Sequence, residues 1–315
     1  MLTAGLPRLA RTGLLAAALS LALLARAGAA GGEDQSGDED AEAPPKFPTT
    51  EFADGAKSAS VTVGDIVAGI SQVRRPDVDP ENDVPVLQVS VAGQRVIEVP
   101  GVVSGFDTPA AEASIAEMDP SNKHAEVYFS SFSGGAHCCS HVVVAEETTP
   151  GKWVAVEIGD FDGDGNYLDD LDGDGLAEIV TVDNRFLYEF DCYACSAAPL
   201  VIHTVRAGKA IDVTAEPRFQ AAQRDWLKRM ETDVDPDEQW TSAGYLAGWV
   251  AAKARVGEGA DALNQLKAHW DYQTDVGEEV CTTGGDIDTC PKKSQVIMKF
   301  PDRLEKFLKD NGFPL

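Results

Sequence analysis

The spacing of apolar residues changes near residue 218 of the chain. Between residues 57 and 217, short runs rich in valine, isoleucine and aromatic residues alternate with polar positions, as in "VPVLQVSV" and "SHVVVAEE". A period of two, with Gly, Pro, Asn or Asp between the runs, is typical of antiparallel strands. The glycines in "SVAGQRV" and "VRAGKAI" stand where hairpins would turn. We therefore predict an antiparallel β domain over residues 57–217, built as propeller-like blades or as a β-meander.

From residue 218 to residue 315 the spacing becomes helical. Apolar stripes at helical intervals comprise Phe219, Ala222, Trp226 and Met230, then Tyr245, Trp249, Ala252 and Val256, and then Leu263, Leu266 and Trp270. "GEG" separates the second stripe from the third and indicates a helical hairpin. A last helix has Pro301 in its first turn and ends before Gly312. These stripes predict core positions in a small α-helical domain, so the expected fold class is α+β.

The N-terminal 56 residues are expected to lie outside both domains. Arg8 and Arg11 precede an apolar run that ends at small residues near Ala29 and Ala30, which predicts a cleaved secretory signal peptide over residues 1–30. The run is short for a membrane span, and no later segment is apolar for long enough to be one. Residues 31–56 are acidic and proline-bearing, which predicts a disordered linker. The expected location is periplasmic or extracellular, and the alanine-rich signal is typical of bacteria.

The charge of the chain restricts its partners. The formal net charge is −26, and it becomes −29 without the signal peptide, because that segment holds three arginines and no acid. Such a chain repels phosphate backbones and anionic lipid, so nucleic acid and membrane surfaces are excluded as expected partners. Cations are attracted.

The most acidic stretch is "GDFDGDGNYLDDLDGDGLAEIV", which holds seven aspartates and one glutamate between Gly159 and Val180. In its second half, acids occupy positions 1, 3, 5 and 9 of a loop that has glycine at position 6, and an apolar strand follows. Calcium requires six to eight hard oxygen ligands, and alternate residues of a tight loop can supply them. The predicted ligands are the side chains of Asp170, Asp172, Asp174 and Glu178 and the carbonyl of Leu176. An EF-hand would need glutamate at position 12, where this loop has Thr181.

The segment "DLDGDGLAEIV" resembles the calcium loop of FG-GAP/VCBS repeats, the integrin-α type of β-propeller blade. The resemblance covers roughly residues 153–190, and it implies a β-blade with structural calcium and no enzymatic activity. A more degenerate copy of this pattern precedes it. "MDPSNKHAEVYFSSF" also runs from a polar turn through Ala-Glu into an apolar strand. Glu126 and Glu178 stand 52 residues apart in this repeat, and cysteines follow each of them.

The first half of the acidic stretch fits the calcium pattern less well. Asp160, Asp162 and Asp164 occupy positions 1, 3 and 5, but position 9 is a leucine and the next acid is Asp169. We treat these four residues as a second-rank calcium site, for which a solvated loop is the alternative.

Six cysteines remain in a chain that is expected to be exported, and disulfides are the first interpretation. Cys281 and Cys290 bracket a short loop and predict a local disulfide. Cys138, Cys139, Cys192 and Cys195 are expected to form disulfides between strands, with a local link between Cys192 and Cys195 as an alternative. A copper or zinc site with the nearby His137 and His141 is a further alternative.

No nucleophile elbow, phosphate loop, zinc-protease motif or dinucleotide fingerprint occurs in the sequence. We therefore expect an exported, calcium-stabilised and non-catalytic module that binds a protein or a glycan. A hydrolase with its site beside the acidic loop and a copper- or zinc-handling protein remain the alternatives.

Overall fold

The structure is a computed structural model that describes residues 46–52, 56–104, 110–135, 138–162 and 167–315. The predicted signal peptide, most of the predicted linker, His137 and Asp164 lie outside these ranges. In the part that is described, no helix combines the length and the apolar character that crossing a membrane requires.

The alternating runs form antiparallel strands, as predicted. The strands are β1 (Thr49–Glu51), β2 (Ser58–Val63), β3 (Ile66–Arg74), β4 (Asp83–Val91), β5 (Gln94–Pro100), β6 (Ala111–Ala116), β7 (Glu126–Phe132), β8 (Cys138–Thr149), β9 (Lys152–Asp162), β10 (Leu168–Asp169), β11 (Glu178–Val182), β12 (Leu200–Arg206), β13 (Lys209–Asp212), β14 (Glu278–Cys281) and β15 (Gln295–Met298).

Among the described residues, three of the four sheets contain a meander of four consecutive strands. The first sheet has the order β2-β3-β4-β5, the second β6-β7-β8-β9, and the third β10-β11-β12-β13. The short strand β1 adds to the outer edge of β6, where the hydroxyls of Thr49 and Ser114 lie 2.7 Å apart. A strand therefore forms within the stretch that the sequence assigned to a linker. The meander that the sequence predicted is confirmed, and the fold class is α+β.

The second sheet is buried on both faces. On β7, Val127 and Phe129 pack into the same apolar cluster as Ile70 and Leu87 of the first sheet. Tyr128, which points to the opposite face, packs with Ile179 of the third sheet. Because successive side chains of a strand point to opposite faces, one strand contributes to both cores. The three sheets thus form successive layers that share their apolar contacts.

Two hairpins turn where the sequence places Ala-Gly pairs. Ala92 and Gly93 between β4 and β5 have φ values of 50° and 78°, and Ala207 and Gly208 between β12 and β13 have 52° and 78°. Two consecutive residues in the left-handed region match the twist of the flanking strands.

The helices form the layer beyond the third sheet. They are α1 (Gln220–Asp233), α2 (Ala243–Arg255), α3 (Gly259–His269) and α4 (Phe300–Asp310). Trp249, Leu266 and Leu304 are buried together with Phe186 and Phe190, which follow β11. The predicted stripes of α2, α3 and α4 are confirmed as core, and residues from Pro44 onward form one compact unit.

The stripe predicted for α1 is wrong in part. Trp226 and Met230 are only half-buried, and the buried residues of α1 are Gln223 and Leu227. Phe219 is fully buried but belongs to the 3-10 helix that precedes α1. The helical part of the stripe therefore borders open cavities, and Met230 also packs against the core.

Two other segments differ from the sequence interpretation. "RFLYEF" does not continue β11, because Asp183 accepts the N–H of Arg185 and starts a 3-10 helix whose Phe186 packs against the helices. In addition, β14 and β15 form a hairpin inside the region that was predicted to be helical.

Candidate functional site

The loop between β10 and β11 carries the predicted first-rank calcium ligands. Asp170, Asp172 and Asp174 each present a carboxylate oxygen within 4.8 Å of the others. Gly173 and Gly175 have φ values of 76° and 88°, and an added Cβ would meet no atom within 4 Å at either position. The two glycines are thus required by the backbone conformation, which turns the chain tightly enough to bring alternate aspartates together.

Three of the carboxylates in this loop bind backbone through one oxygen and turn the other toward a shared point. Asp172 and Asp174 each accept the N–H of the residue two positions later, at 3.2 and 2.8 Å, and Glu178 accepts that of Leu171 at 3.1 Å. Their remaining oxygens lie 3.1, 3.4 and 3.3 Å from Nη1 of Arg218, respectively. The loop therefore holds three oxygens around one cationic nitrogen.

Arg218 reaches this point from the 3-10 helix Pro217–Phe219, which links β13 to α1. Its Nε lies 2.8 Å from an oxygen of Glu216, and its guanidinium carbon lies 4.2 Å from the centre of the Phe219 ring. Phe219 is buried against Ile202 of the third sheet. The arginine thus joins the acidic loop to the segment that leads into the helices.

Glu178 is the most buried of these acids, with 1% of its surface exposed. Burial raises its pKa to about 7, and the nearby Asp172 and Asp174 act in the same direction, while the N–H of Leu171 and the charge of Arg218 oppose the shift. Without a cation, a buried carboxylate at this place is costly to ionise.

The first half of the acidic stretch does not gather its described acids in the same way. Asp160 lies on β9, and its Oδ1 accepts a hydrogen bond from Nδ1 of His141 on the neighbouring strand at 2.9 Å. Asp169 pairs with Lys46, and Asp162 ends β9. Among the residues that the structure describes, Asp170, Asp172 and Asp174 form an acid group that could hold an ion, and these second-rank residues do not.

A second loop, residues 118–126, corresponds to the weak repeat. Glu126 is fully buried, and one of its oxygens accepts the N–H groups of Met118 and Asp119 at 2.7 and 3.1 Å. Its other oxygen accepts the side-chain amide of Asn122 at 2.6 Å. Burial raises the pKa of Glu126 to about 7 although these hydrogen bonds favour the ionised form.

Further buried acids lie behind this second loop. Glu146 of β8 accepts the N–H of Gly208, in the hairpin between β12 and β13, at 2.6 Å. Burial raises the pKa of Glu146, and the carboxyl of Asp119 raises it further. His124 lies 2.7 Å from Glu147 and is also buried. The local sequence pattern does not predict this group, because its members come from distant elements.

The five cysteines whose side chains the structure describes are oxidised. Cys281 and Cys290 form the predicted local disulfide, and Cys192 and Cys195 form the local link instead of a bridge between strands. Cys139 is disulfide-bonded as well. Cys192 and Cys195 lie beside Asp191, but cysteines joined in a disulfide have no thiolate to offer a metal.

Arg218 is the residue of the acidic site that sequence reasoning missed. It lies 40 residues after Glu178, and no local pattern connects the two. The sequence signal for this residue is weak. It consists of the position of "EPRF" between the last strand of the third sheet and the first helix, a segment that passes close to the loop.

Stacked meanders, a terminal helical layer and an acidic loop at their junction define a class of α+β protein with a candidate cation site. The chain belongs to the family of the Synechocystis protein named "Probable thylakoid lumen protein sll0997". It is 34% identical to that protein over 259 residues, which cover 81% of this chain and 76% of the relative. Residues 223–312 match the family described as the sll0997 C-terminal domain.

A second relative is an uncharacterized protein, y4bJ, of Sinorhizobium fredii. It is 31% identical over 233 residues, which cover 73% of this chain but 37% of the relative. No solved structure matches the chain. The resemblance of the acidic loop to FG-GAP/VCBS repeats stays a prediction.

Proposed function

We propose that this protein is an extracytoplasmic binding module in which calcium, held by the loop Asp170–Glu178, stabilises the junction between the third sheet and the helices. The observation that carries the proposal is the orientation of the carboxylates. Asp172, Asp174 and Glu178 each keep one oxygen on the backbone and turn the other toward the same point, within 3.4 Å of Nη1 of Arg218. A loop that already gathers oxygens around one cationic group is suited to a metal cation.

The ligand chemistry of this loop fits calcium. The side chains of Asp170, Asp172, Asp174 and Glu178 and the carbonyl of Leu176 would hold the ion. All are hard oxygens, and these five ligands together with one to three waters would give the six to eight that calcium prefers. Three carboxylates of the loop and that of Glu216 surround a single guanidinium, so negative charge remains in excess when Arg218 is the only cation. Bound calcium would supply the charge that buried Glu178 lacks.

The expected role of calcium is structural. The loop leads directly into β11, and Arg218 connects it to the segment that precedes α1. Fixing the loop would therefore fix the position of the helices against the third sheet. The partner is a protein or a glycan bound elsewhere on the surface. The name of the Synechocystis relative, together with the predicted signal peptide, supports a location outside the cytoplasm.

The test is calorimetric and thermal titration of the purified protein with calcium after chelator treatment. Binding at 100 times the dissociation constant would add about 2.7 kcal/mol to the free energy of unfolding. For a chain of this size, that corresponds to a rise in melting temperature of roughly 5 °C. Magnesium at the same concentration should give a smaller shift, because it loses its water less readily.

The matched control for this titration is a variant with Asp170, Asp172 and Asp174 replaced by asparagine. It keeps the size and the hydrogen-bonding capacity of the loop but removes three charges, so its melting temperature should not respond to calcium. A second variant, with Asp160 and Asp162 replaced by asparagine, should respond as the wild type does. Absence of both heat and a thermal shift up to 10 mM calcium, about ten times the weakest dissociation constant of extracellular calcium modules, would refute the proposal.

A further inference from the structure

Two adjoining cavities form a groove along α1, at the edge of the interface between this helix and the third sheet. Their volumes are about 480 and 770 Å3. Asp162, Val182, Trp226 and Arg229 line both, so the cavities are continuous. The first cavity lies between α1 and the start of the third sheet, and the second lies between α1 and the segment around the Cys192–Cys195 disulfide. Each volume is in the range of known ligand pockets.

Each cavity is lined by a buried hydroxyl that lacks a partner. Thr181 lines the first and is 5% exposed, and Tyr245 lines the second and is 8% exposed. Neither hydroxyl oxygen has a hydrogen-bond partner in the part of the chain that the structure describes. Burying a hydroxyl without a partner is costly, and native proteins rarely do so without a reason. Both oxygens are covered by protein, so a ligand with hydrogen-bonding groups along its length would satisfy them once the two side chains turn their hydroxyls into the groove.

The groove also exposes apolar surface that the sequence predicted as core. Trp226 and Met230 line the second cavity and are half-buried. The indole N–H of Trp226 donates to the carbonyl of Ala198 at 3.0 Å, which fixes the ring in place. The guanidinium carbon of Arg229 lies 5.1 Å from the centre of the indole ring. A fixed, half-exposed tryptophan offers a rigid apolar contact at low entropic cost.

The acidic residues of the groove determine which charge its ligand should carry. Among the described residues, six acidic side chains line the two cavities, and Arg229 is the basic one. The acids are Asp162, Asp169, Asp225, Asp233, Asp235 and Glu238. A groove with an apolar floor and acidic walls is complementary to a ligand that carries apolar groups and positive charges.

The dimensions of the groove favour an extended chain over a compact molecule. The lining residues of α1 run from Ala221 to Asp233, and at 1.5 Å per residue this length is about 18 Å. An extended peptide rises by about 3.3 Å per residue, so five or six residues would span it. The acidic residues 31–42 of this chain would be repelled, and so would a second copy of a chain whose net charge is −26.

We propose that this groove binds an extended segment of a partner protein in which basic and apolar residues alternate. The backbone of the segment would bond the hydroxyls of Thr181 and Tyr245, its apolar side chains would contact Trp226 and Met230, and its basic side chains would face the acidic walls. This inference goes beyond the proposed calcium function and does not depend on it.

The test is fluorescence anisotropy with a labelled hexapeptide of alternating lysine and leucine as the probe. The matched probe alternates glutamate and leucine. The protein should bind the basic probe at least tenfold more tightly than the acidic one, in calcium and in chelator alike. A calcium dependence of the thermal stability without peptide binding would separate failure of this inference from failure of the calcium proposal.

Two pairs of variants test whether the groove is the binding site. Asp225→Asn with Asp233→Asn should weaken binding of the basic probe at least fivefold, whereas Glu279→Gln with Asp288→Asn, which are exposed outside the groove, should leave it unchanged. Both pairs change the net charge equally, so a general electrostatic effect would make them alike.

The hydroxyls give a second and more specific readout. Tyr245→Phe and Thr181→Val should each weaken binding of the probe about threefold while the melting temperature of the free protein stays the same or rises, because an unpartnered hydroxyl is removed. Equal binding of the two probes, or no binding of the basic probe at 1 mM, would overturn the proposal. Unchanged affinity in both the charge pair and the hydroxyl variants would overturn it as well.

Discussion

Residues 118–126 and 170–178 form two loops of the same length at the same place in successive sheets. Each is a polar loop of nine residues that ends in Ala-Glu, and each leads into the second strand of a four-stranded meander, β7 or β11. In both loops the final glutamate is buried, and burial raises its pKa to about 7. The second loop also contacts the residue that precedes the first, because the N–H of Ala177 donates to the carbonyl of Glu117 at 2.7 Å.

The two loops differ in what satisfies the buried glutamate. Glu126 receives two backbone N–H groups and the amide of Asn122, all of which are neutral donors. Glu178 receives one backbone N–H and the charge of Arg218. The buried glutamate is thus satisfied by amide groups in one loop and by a cation in the other. A metal ion could therefore take the place of the arginine in the second loop, whereas the first loop has no cation to replace.

The largest difference is expected when each glutamate is truncated. Glu126→Ala leaves two N–H groups and an amide without acceptors, together with a void at the start of β7, so it should cost about 3–4 kcal/mol of unfolding free energy. Glu178→Ala in chelator removes one acceptor and relieves repulsion from Asp172 and Asp174, so it should cost less, about 1–2 kcal/mol. Urea denaturation measures both.

Calcium should separate these two truncations further. It should not alter the cost of Glu126→Ala, whereas it should raise that of Glu178→Ala, because the variant loses a ligand. If both variants lose the same unfolding free energy and calcium changes neither loss, then neutral donors in one loop and a cation in the other do not distinguish the two glutamates.

The next effect is a dependence of the unfolding free energy on pH. Glu178 shares it in chelator, because burial raises its pKa to about 7 as well, but calcium should not alter it at Glu126. Because burial raises the pKa of this carboxyl from 4.5 to about 7, the folded protein binds its proton more tightly than the unfolded chain does. The stability from this group is therefore complete below the unfolded pKa and is lost as the pH rises through the folded one. From pH 5 to pH 8 the loss amounts to about 2–3 kcal/mol.

Glu126→Gln is the variant that isolates this effect. A glutamine can still accept the two backbone N–H groups, and it does not ionise. The unfolding free energy of the variant relative to wild type should rise by about 2 kcal/mol between pH 5 and pH 8. Asn122→Ala, which loses a donor but keeps the carboxyl, is the control that should retain the pH dependence. A difference that does not change with pH would show that Glu126 is ionised throughout.

A smaller effect is expected at Arg218, and its sign should depend on calcium. In chelator, Arg218→Gln removes the charge that faces Asp172, Asp174 and Glu178, so it should cost about 1 kcal/mol. In calcium the arginine competes with the ion, so the same variant should bind calcium several-fold more tightly than wild type. Arg224→Gln, which removes an exposed arginine of α1 paired with Glu258, is the matched control. Weaker calcium binding by Arg218→Gln would show that the arginine supports the metal instead of replacing it.

The sequence predicts what depends on local spacing. The alternation in β8, the Ala-Gly turns at Ala92 and Ala207, the stripe of α2 and the convergence of Asp170, Asp172 and Asp174 all follow from residues a few positions apart. The repeat that joins Glu126 and Glu178 is also visible, because each glutamate opens a strand at the same place in a meander.

The sequence does not predict contacts that depend on how the layers stack. Arg218 enters the acidic loop only because β13 ends beside it, and "RFLYEF" leaves the sheet because Phe186 and Phe190 find apolar partners among the helices. Trp226 has helical spacing, but whether that face meets a core or a groove depends on what lies opposite. Tertiary contacts, which the local pattern does not encode, decide these positions.

The smallest difference concerns the backbone of the two loops. Gly175 has a φ of 88°, whereas the corresponding residue of the other loop, Lys123, is not among the residues with positive φ. An alanine Cβ at position 175 would meet no atom within 4 Å, so its cost comes from backbone conformation alone, about 1 kcal/mol. Lys123→Ala should change the unfolding free energy by less than about 0.5 kcal/mol. Because calcium needs the sharp bend at Gly175, Gly175→Ala should also weaken calcium binding, measured by calorimetry, while Lys123→Ala should not. If the two variants cost the same and bind calcium equally, the bend is not what gathers the aspartates.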